Sequence, residues 1–151
     1  MSSIQLLHTN SDHPAFQRLA GEMEKELYIR DGGLAEINHV LNKIGFIQDV
    51  IIAISVSEPV ACGSFREFDN ESAELKRMFV PTSHRNKGLA SKILLELEST
   101  AKNKGYKYCV LETGKNQPEA VAFYLKHGYT QVPAFGKYLG SINSICFSKE
   151  L

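Results

Sequence analysis

Val80-Pro81-Thr82-Ser83-His84-Arg85-Asn86-Lys87-Gly88-Leu89-Ala90-Ser91 joins two patterns of different period, and few architectures satisfy both sides of that joint. Residues 74–80 before it read as a strand. Residues 89–104 after it place Ala90, Ile93, Leu94, Leu97 and Ala101 at helical spacing with charges between them, and Gly105 is a glycine stop. The next strand is 106–113. Strand, helix and strand make a βαβ unit, whose strands run parallel with a right-handed crossover. The chain is thereby committed to an α/β sheet.

The joint also suits phosphate. The first turn of a helix has N–H groups without intrahelical partners, and the aligned peptide dipoles put positive charge there. Gly88 and the small Ala90 allow close approach to the backbone, while Arg85 and Lys87 add charge. The same residues also fit a solvated surface turn. What favours phosphate is position, because ligands of open α/β sheets collect at the carboxyl ends of parallel strands. The segment matches neither G-x-x-x-x-G-K-[ST] nor G-x-G-x-x-G, so it is neither a P-loop nor a dinucleotide fingerprint.

The remaining periodicities predict a strand at 4–7, a helix from Pro14 to about Ile29 and a shorter helix at 34–44. A β-branched strand at 50–56 and a hairpin partner at 60–66 follow. Pro118 at a first-turn position opens a helix running to His127. Two more strands lie around 130–132 and 144–148, separated by Phe135-Gly136-Lys137-Tyr138. No linker, repeat or low-complexity segment divides residues 1–151, so a single domain is expected.

Charge narrows the function. Lys and Arg (17) equal Asp and Glu (17), without the basic excess of a dedicated nucleic-acid binder. No run approaches the length of a membrane span, and the first residues lack a signal pattern, so a cytoplasmic protein is expected. Cys62, Cys109 and Cys146 are an odd set without CxxC spacing, best read as buried thiols. The histidines have no ligand spacing, so no metal is expected. There is also no G-x-S-x-G elbow.

On its motifs the chain resembles the GNAT superfamily of acetyl-CoA-dependent N-acetyltransferases. Arg85-Asn86-Lys87-Gly88-Leu89-Ala90 fits that family's [RQ]-x-x-G-x-[GA] pyrophosphate loop. Residues 75–80 are similar to its pantetheine-pairing strand. Pro118-Glu119-Ala120-Val121-Ala122-Phe123-Tyr124-Leu125-Lys126-His127-Gly128-Tyr129 is similar to its A-x-x-[FL]-Y-x-x-x-G-[FY] helix. The resemblance covers essentially the whole chain. It implies a single-domain fold with a mixed central sheet in the order β-α-α-β-β-β-α-β-α-β-β.

The resemblance further implies that Arg85, Asn86, Lys87, Gly88, Leu89, Ala90 and Ser91 hold the pyrophosphate of acetyl-CoA. Met78, Phe79 and Val80 would hold its pantetheine arm through backbone groups. Where many members carry a cofactor-contacting asparagine this chain has Gln117, with Asn116 adjacent, and either amide fits. Tyr124 would protonate the leaving thiolate. The base is Glu74, at the position used by histone-type members, or Glu112, at that of some peptide N-terminal acetyltransferases; both also read as salt-bridged carboxylates. His84 and His127 read as solvated.

The implied partner is a small-molecule amine, an amino acid or polyamine-like compound, with no nucleic acid and no membrane, and a homodimer is compatible with it. The alternatives are acetylation of a protein or peptide amine, and a non-catalytic acetyl-CoA-binding module. Phe135 to Tyr138 form either a wall of the acceptor pocket or a hairpin turn.

Overall fold

The computed structural model describes residues 3–31 and 45–151. Seven strands form one sheet in the spatial order β1-β2-β3-β4-β5-β7-β6. They are β1 (Ile4–Thr9), β2 (Asp49–Ser55), β3 (Glu58–Glu67), β4 (Ser72–Phe79), β5 (Tyr108–Gly114), β6 (Thr130–Val132) and β7 (Ser144–Glu150). The described helices are α1 (Pro14–Asp31), α2 (Leu89–Asn103) and α3 (Pro118–Lys126). The expected order is reproduced over these residues. The helix expected at 34–44 lies outside them. Strand β5 begins two residues later than its apolar pattern suggested, because Lys107 and Tyr108 donate to the Glu71 carbonyl as the chain enters the sheet.

Among the described residues only β4 and β5 pair in parallel; the other neighbours are antiparallel, so the sheet is mixed. One face packs on α2 and α3 through Ala73, Leu75, Ile93, Leu94, Leu97, Leu111, Tyr124 and Phe147. The other carries α1, whose Phe16 and Leu19 meet Val50, Ile52, Cys62 and Phe79. Alternation along each strand requires this division, since successive side chains point to opposite faces.

That alternation is broken between β2 and β3, where the register shifts between Ala53 and Ile54, and again in β4. Arg77 has φ 57°, and the register with β3 shifts between Cys62 and Ser64. Such a bulge bends the strand and resets which face its residues address. Ser64 Oγ pins it by donating to the Lys76 carbonyl at 2.5 Å, and Cys62 Sγ donates to that of Arg77 at 3.4 Å. Opposite the bulge, a Cβ on Gly63 would lie 2.5 Å from Met78 Sδ and 2.6 Å from Ile93 Cγ2, so only glycine lets α2 seat there. The three cysteines are buried and unbridged, and burial pushes Cys62 and Cys109 up to about 12. They are inert core side chains, as their sequence setting suggested. No described helix is long and apolar enough to cross a membrane.

Candidate active site

The sheet opens just before the bulge. The β4–β5 ladder stops at Glu74↔Val110, although β4 continues to Phe79 and β5 to Gly114. The strands diverge into a fork beyond that rung. A cavity of about 1040 Å³ occupies it, reaching from the loop before α2 past Tyr124 to the α1 side of the sheet. Its walls are the β4 segment Leu75 to Val80, residues Leu111 to Gly114, the start of α2, one side of α3 and the inner turns of α1.

The loop meets the fork in a 3-10 turn, Thr82–His84, followed by Gly88 at φ 77° and the first turn of α2. No side chain caps α2, and a Cβ at Gly88 would meet nothing within 4 Å. Uncapped N–H groups at a helix start, beside open space, are the kind of feature that suits an anion. The arginine of the motif sits in this loop as a brace. Arg85 Nε donates to the Val80 carbonyl at 2.7 Å, its Nη2 reaches both carboxylate oxygens of Glu26 in α1 at 2.7 and 2.8 Å, and its guanidinium lies over Phe79. Arg85, Asn86, Gly88, Leu89, Ala90 and Ser91 line the cavity, whereas Lys87 is exposed outside its wall. Met78, Phe79 and Val80 line it along the edge that no longer pairs with β5.

Helix α3 contributes Gln117 and Tyr124. Gln117 is 7% exposed and lines the cavity, while Asn116 is exposed and does not. Pro118, whose missing N–H is no loss at a helix start, fixes the turn that buries Gln117. Tyr124 is packed edge-on against Phe123 and Tyr129. Among the described residues none hydrogen-bonds its hydroxyl. A buried polar atom on a cavity wall without a partner is the kind of group a ligand satisfies. Burial raises the Tyr124 phenol well above its usual value.

The two candidate carboxylates separate in space. Glu112 lines the cavity, partly exposed, with Ser144 Oγ donating to it at 2.6 Å. Glu74 is 2% exposed and absent from the cavity wall; it accepts from the Tyr138 hydroxyl at 2.9 Å and from Arg66 Nε at 3.4 Å, and Lys76 Nζ lies 3.7 Å away.

Three features escaped the sequence reading. Lys76 lines the cavity beside Glu112, although strand alternation already put it on the face of Glu74. Tyr138 joins Glu74 and Lys76 across more than sixty residues, which no local pattern reveals. His127 is not solvated: Nδ1 donates to the Phe123 carbonyl at 2.8 Å, and Nε2 lies in hydrogen-bond contact with Ser91 Oγ at 2.9 Å. The segment 135–138 is a 3-10 turn whose Tyr138 is 1% exposed, so it buttresses the sheet and does not wall the cavity.

Comparison with known proteins agrees with this geometry. Residues 16–129 match the model of the acetyltransferase (GNAT) family. The N-acetyltransferase YsnE of Bacillus subtilis, described as uncharacterized, is 31% identical over 96 residues, 62% of this chain and 64% of that protein. The IAA acetyltransferase of Azospirillum brasilense is 29% identical over the full length of both chains. Among solved structures, a GNAT family acetyltransferase from Elizabethkingia anophelis with acetyl-CoA bound superposes with a TM-score of 0.67 at 20% identity, covering 98% of each chain.

Proposed function

The chain belongs to the acetyltransferase (GNAT) family, and from that premise we propose that it moves acetyl from acetyl-CoA to the primary amine of a small molecule. The observation that carries this reading is one continuous cavity that runs from the uncapped start of α2 through the fork to Glu112. A thioester arm held from one end therefore meets an acceptor entering from the other.

Acetyl-CoA supplies the activated acetyl carbon. The first-turn N–H groups of α2, reached past Gly88 and Ala90, bind the pyrophosphate, and the unpaired backbone edge of Met78 to Val80 holds the pantetheine arm. A backbone N–H near Met78 polarises the thioester oxygen, which is electrostatic catalysis of the oxyanion-hole kind. An alkylamine with a pKa of about 10.4 is neutral in only about one molecule in a few thousand at pH 7, so a base at the acceptor end is needed. Of the two candidate carboxylates, Glu112 is the one that lines the cavity, and it takes this proton. Glu74, enclosed by Tyr138, Lys76 and Arg66, organises the site from behind.

Tyr124 gives its proton to the departing sulfur. Its raised pKa does not oppose this, because the burial that lifts the phenol lifts a thiolate beside it too, as it lifts Cys62 and Cys109. Release of free thiol from acetyl-CoA across a panel of small amines and peptides tests the proposal. Turnover with small amines is expected; turnover with peptides alone would move the acceptor to protein. Binding without turnover would leave a coenzyme-binding module.

A further inference from the structure

Lys76 and Glu112 face one another across the fork. The rungs Ser72↔Tyr108, Ala73↔Cys109 and Glu74↔Val110 set the register, and two residues further on Lys76 and Glu112 come level on the α1 side of the sheet. Both line the cavity at its acceptor end. Lys76 is 6% exposed and held in place: its ammonium donates to the Tyr138 oxygen at 2.8 Å, and the Tyr138 hydroxyl donates to Glu74. A lysine loses much rotamer freedom when fixed this way. Its charge is therefore pre-positioned at the fork.

The charges around it are unequal. Lys76 is surrounded by Glu74 on its own strand, Arg66 on β3, Glu112 on β5 and Lys137 beside Tyr138; Arg77, next along β4, pairs with Glu24 of α1 at 3.2 Å. The described side chains of this cluster carry four positive charges, on Arg66, Lys76, Arg77 and Lys137, to three negative ones, on Glu24, Glu74 and Glu112. Burial, with Lys137 and Arg66 nearby, brings Lys76 down to about 8, and burial with Arg66 lowers Lys137 as well. A second ammonium brought here by a polyamine would add like charge. An anionic group would relieve the excess.

We infer that the acceptor is an amino acid, its amine directed to Glu112 and its carboxylate to Lys76. The inference rests on the acetyl-transfer reading above and narrows its substrate class. Attack forms the C–N bond, the amine proton passes to Glu112, the C–S bond breaks and the thiolate takes the Tyr124 proton. Lys76 orients the acceptor and exchanges no proton in these steps. Tyr138 and Glu74 are positioning residues.

The test uses the full chain, acetyl-CoA and matched acceptors: amino acids, their amides, and diamines of similar length. A charge-assisted hydrogen bond to the carboxylate should favour the amino acid over its amide by about tenfold to a hundredfold in kcat/KM. Lys76→Met should raise KM for the amino acid and bring that preference toward one, and Lys76→Arg should retain it. Amides or diamines acetylated as well as amino acids by the native chain would overturn the inference alone, whether or not the variants fold. Thiol release with none of these acceptors would overturn the acetyl-transfer reading and this inference together.

Discussion

Tyr124 is a residue at which packing and the proposed chemistry can be told apart. Its ring completes an aromatic cluster with Phe123, Tyr129 and Phe147, and the residue lines the cavity. Phenylalanine keeps the ring and removes only the proton. Tyr124→Phe should lower the acetylation rate by about a hundredfold to ten-thousandfold, the usual span of general acid–base catalysis. Melting temperature and acetyl-CoA affinity should change little. Near-normal turnover when chemistry limits the rate would return the residue to the core. Glu112 is tested by pH. Glu112→Gln should bind acetyl-CoA normally and be slowest near neutrality, with the deficit shrinking as the amine deprotonates in bulk. A deficit independent of pH would make Glu112 a binding group only.

At the scale of elements, the junction of β4 and α2 depends on backbone geometry as much as on charge. Gly88 stands in the left-handed region, where a β-branched residue costs about 1–2 kcal/mol. Gly88→Val should therefore lose stability as well as coenzyme affinity, and by itself proves little. Asparagine tolerates this conformation far better. Gly88→Asn should melt within a few degrees of the native chain yet bind CoA more weakly, because its side chain enters the open space at the start of α2. Calorimetry showing unchanged CoA affinity for the asparagine variant would remove the loop from the binding site. The opposite side of the cavity is tied down by α1, whose Glu24, Glu26 and Arg30 pair with Arg77, Arg85 and Glu119. One helix thus links the strand, the loop and α3. The Arg30–Glu119 pair is largely exposed and contributes little to stability, whereas Arg85, with Nη2 shared between both Glu26 oxygens and Nε on the Val80 carbonyl, fixes loop geometry.

For the molecule as a whole, the buried Lys76 couples the cavity to stability. Its pKa falls from 10.5 to about 8 on folding, so below pH 8 both states are protonated and the folded chain bears the full cost of the buried charge. As pH rises from about 8 to 10.5 the folded chain has released this proton while the unfolded chain still holds it, and stability increases. A shift of this size corresponds to about 3 kcal/mol. Denaturant titrations of the native chain and Lys76→Met at pH 7 and pH 10 should show the native chain gaining most of that amount relative to the variant. An unchanged difference between the two pH values would mean that Lys76 titrates as an ordinary surface lysine.

The sequence alone determined what depends on neighbours a few residues apart. Helix α2 follows from its apolar spacing, its open, uncapped start from Gly88 and Ala90, the start of α3 from Pro118, and the thiol character of the cysteines from their apolar strands. The fork was decided only by tertiary structure. The bulge at Arg77 exists because β3 supplies Gly63 and Ser64 opposite it, and a register shift is a property of two strands, not of one. The same holds for the carboxylates. Glu74 and Glu112 look alike in sequence, but Tyr138, 64 residues from Glu74, encloses the first, while the end of the β4–β5 ladder opens the second to the cavity. Gln117 and Asn116 were likewise indistinguishable until the turn before α3 buried one and exposed the other. Burial and charge pairing are set by which distant segments meet, and local periodicity carries no record of them.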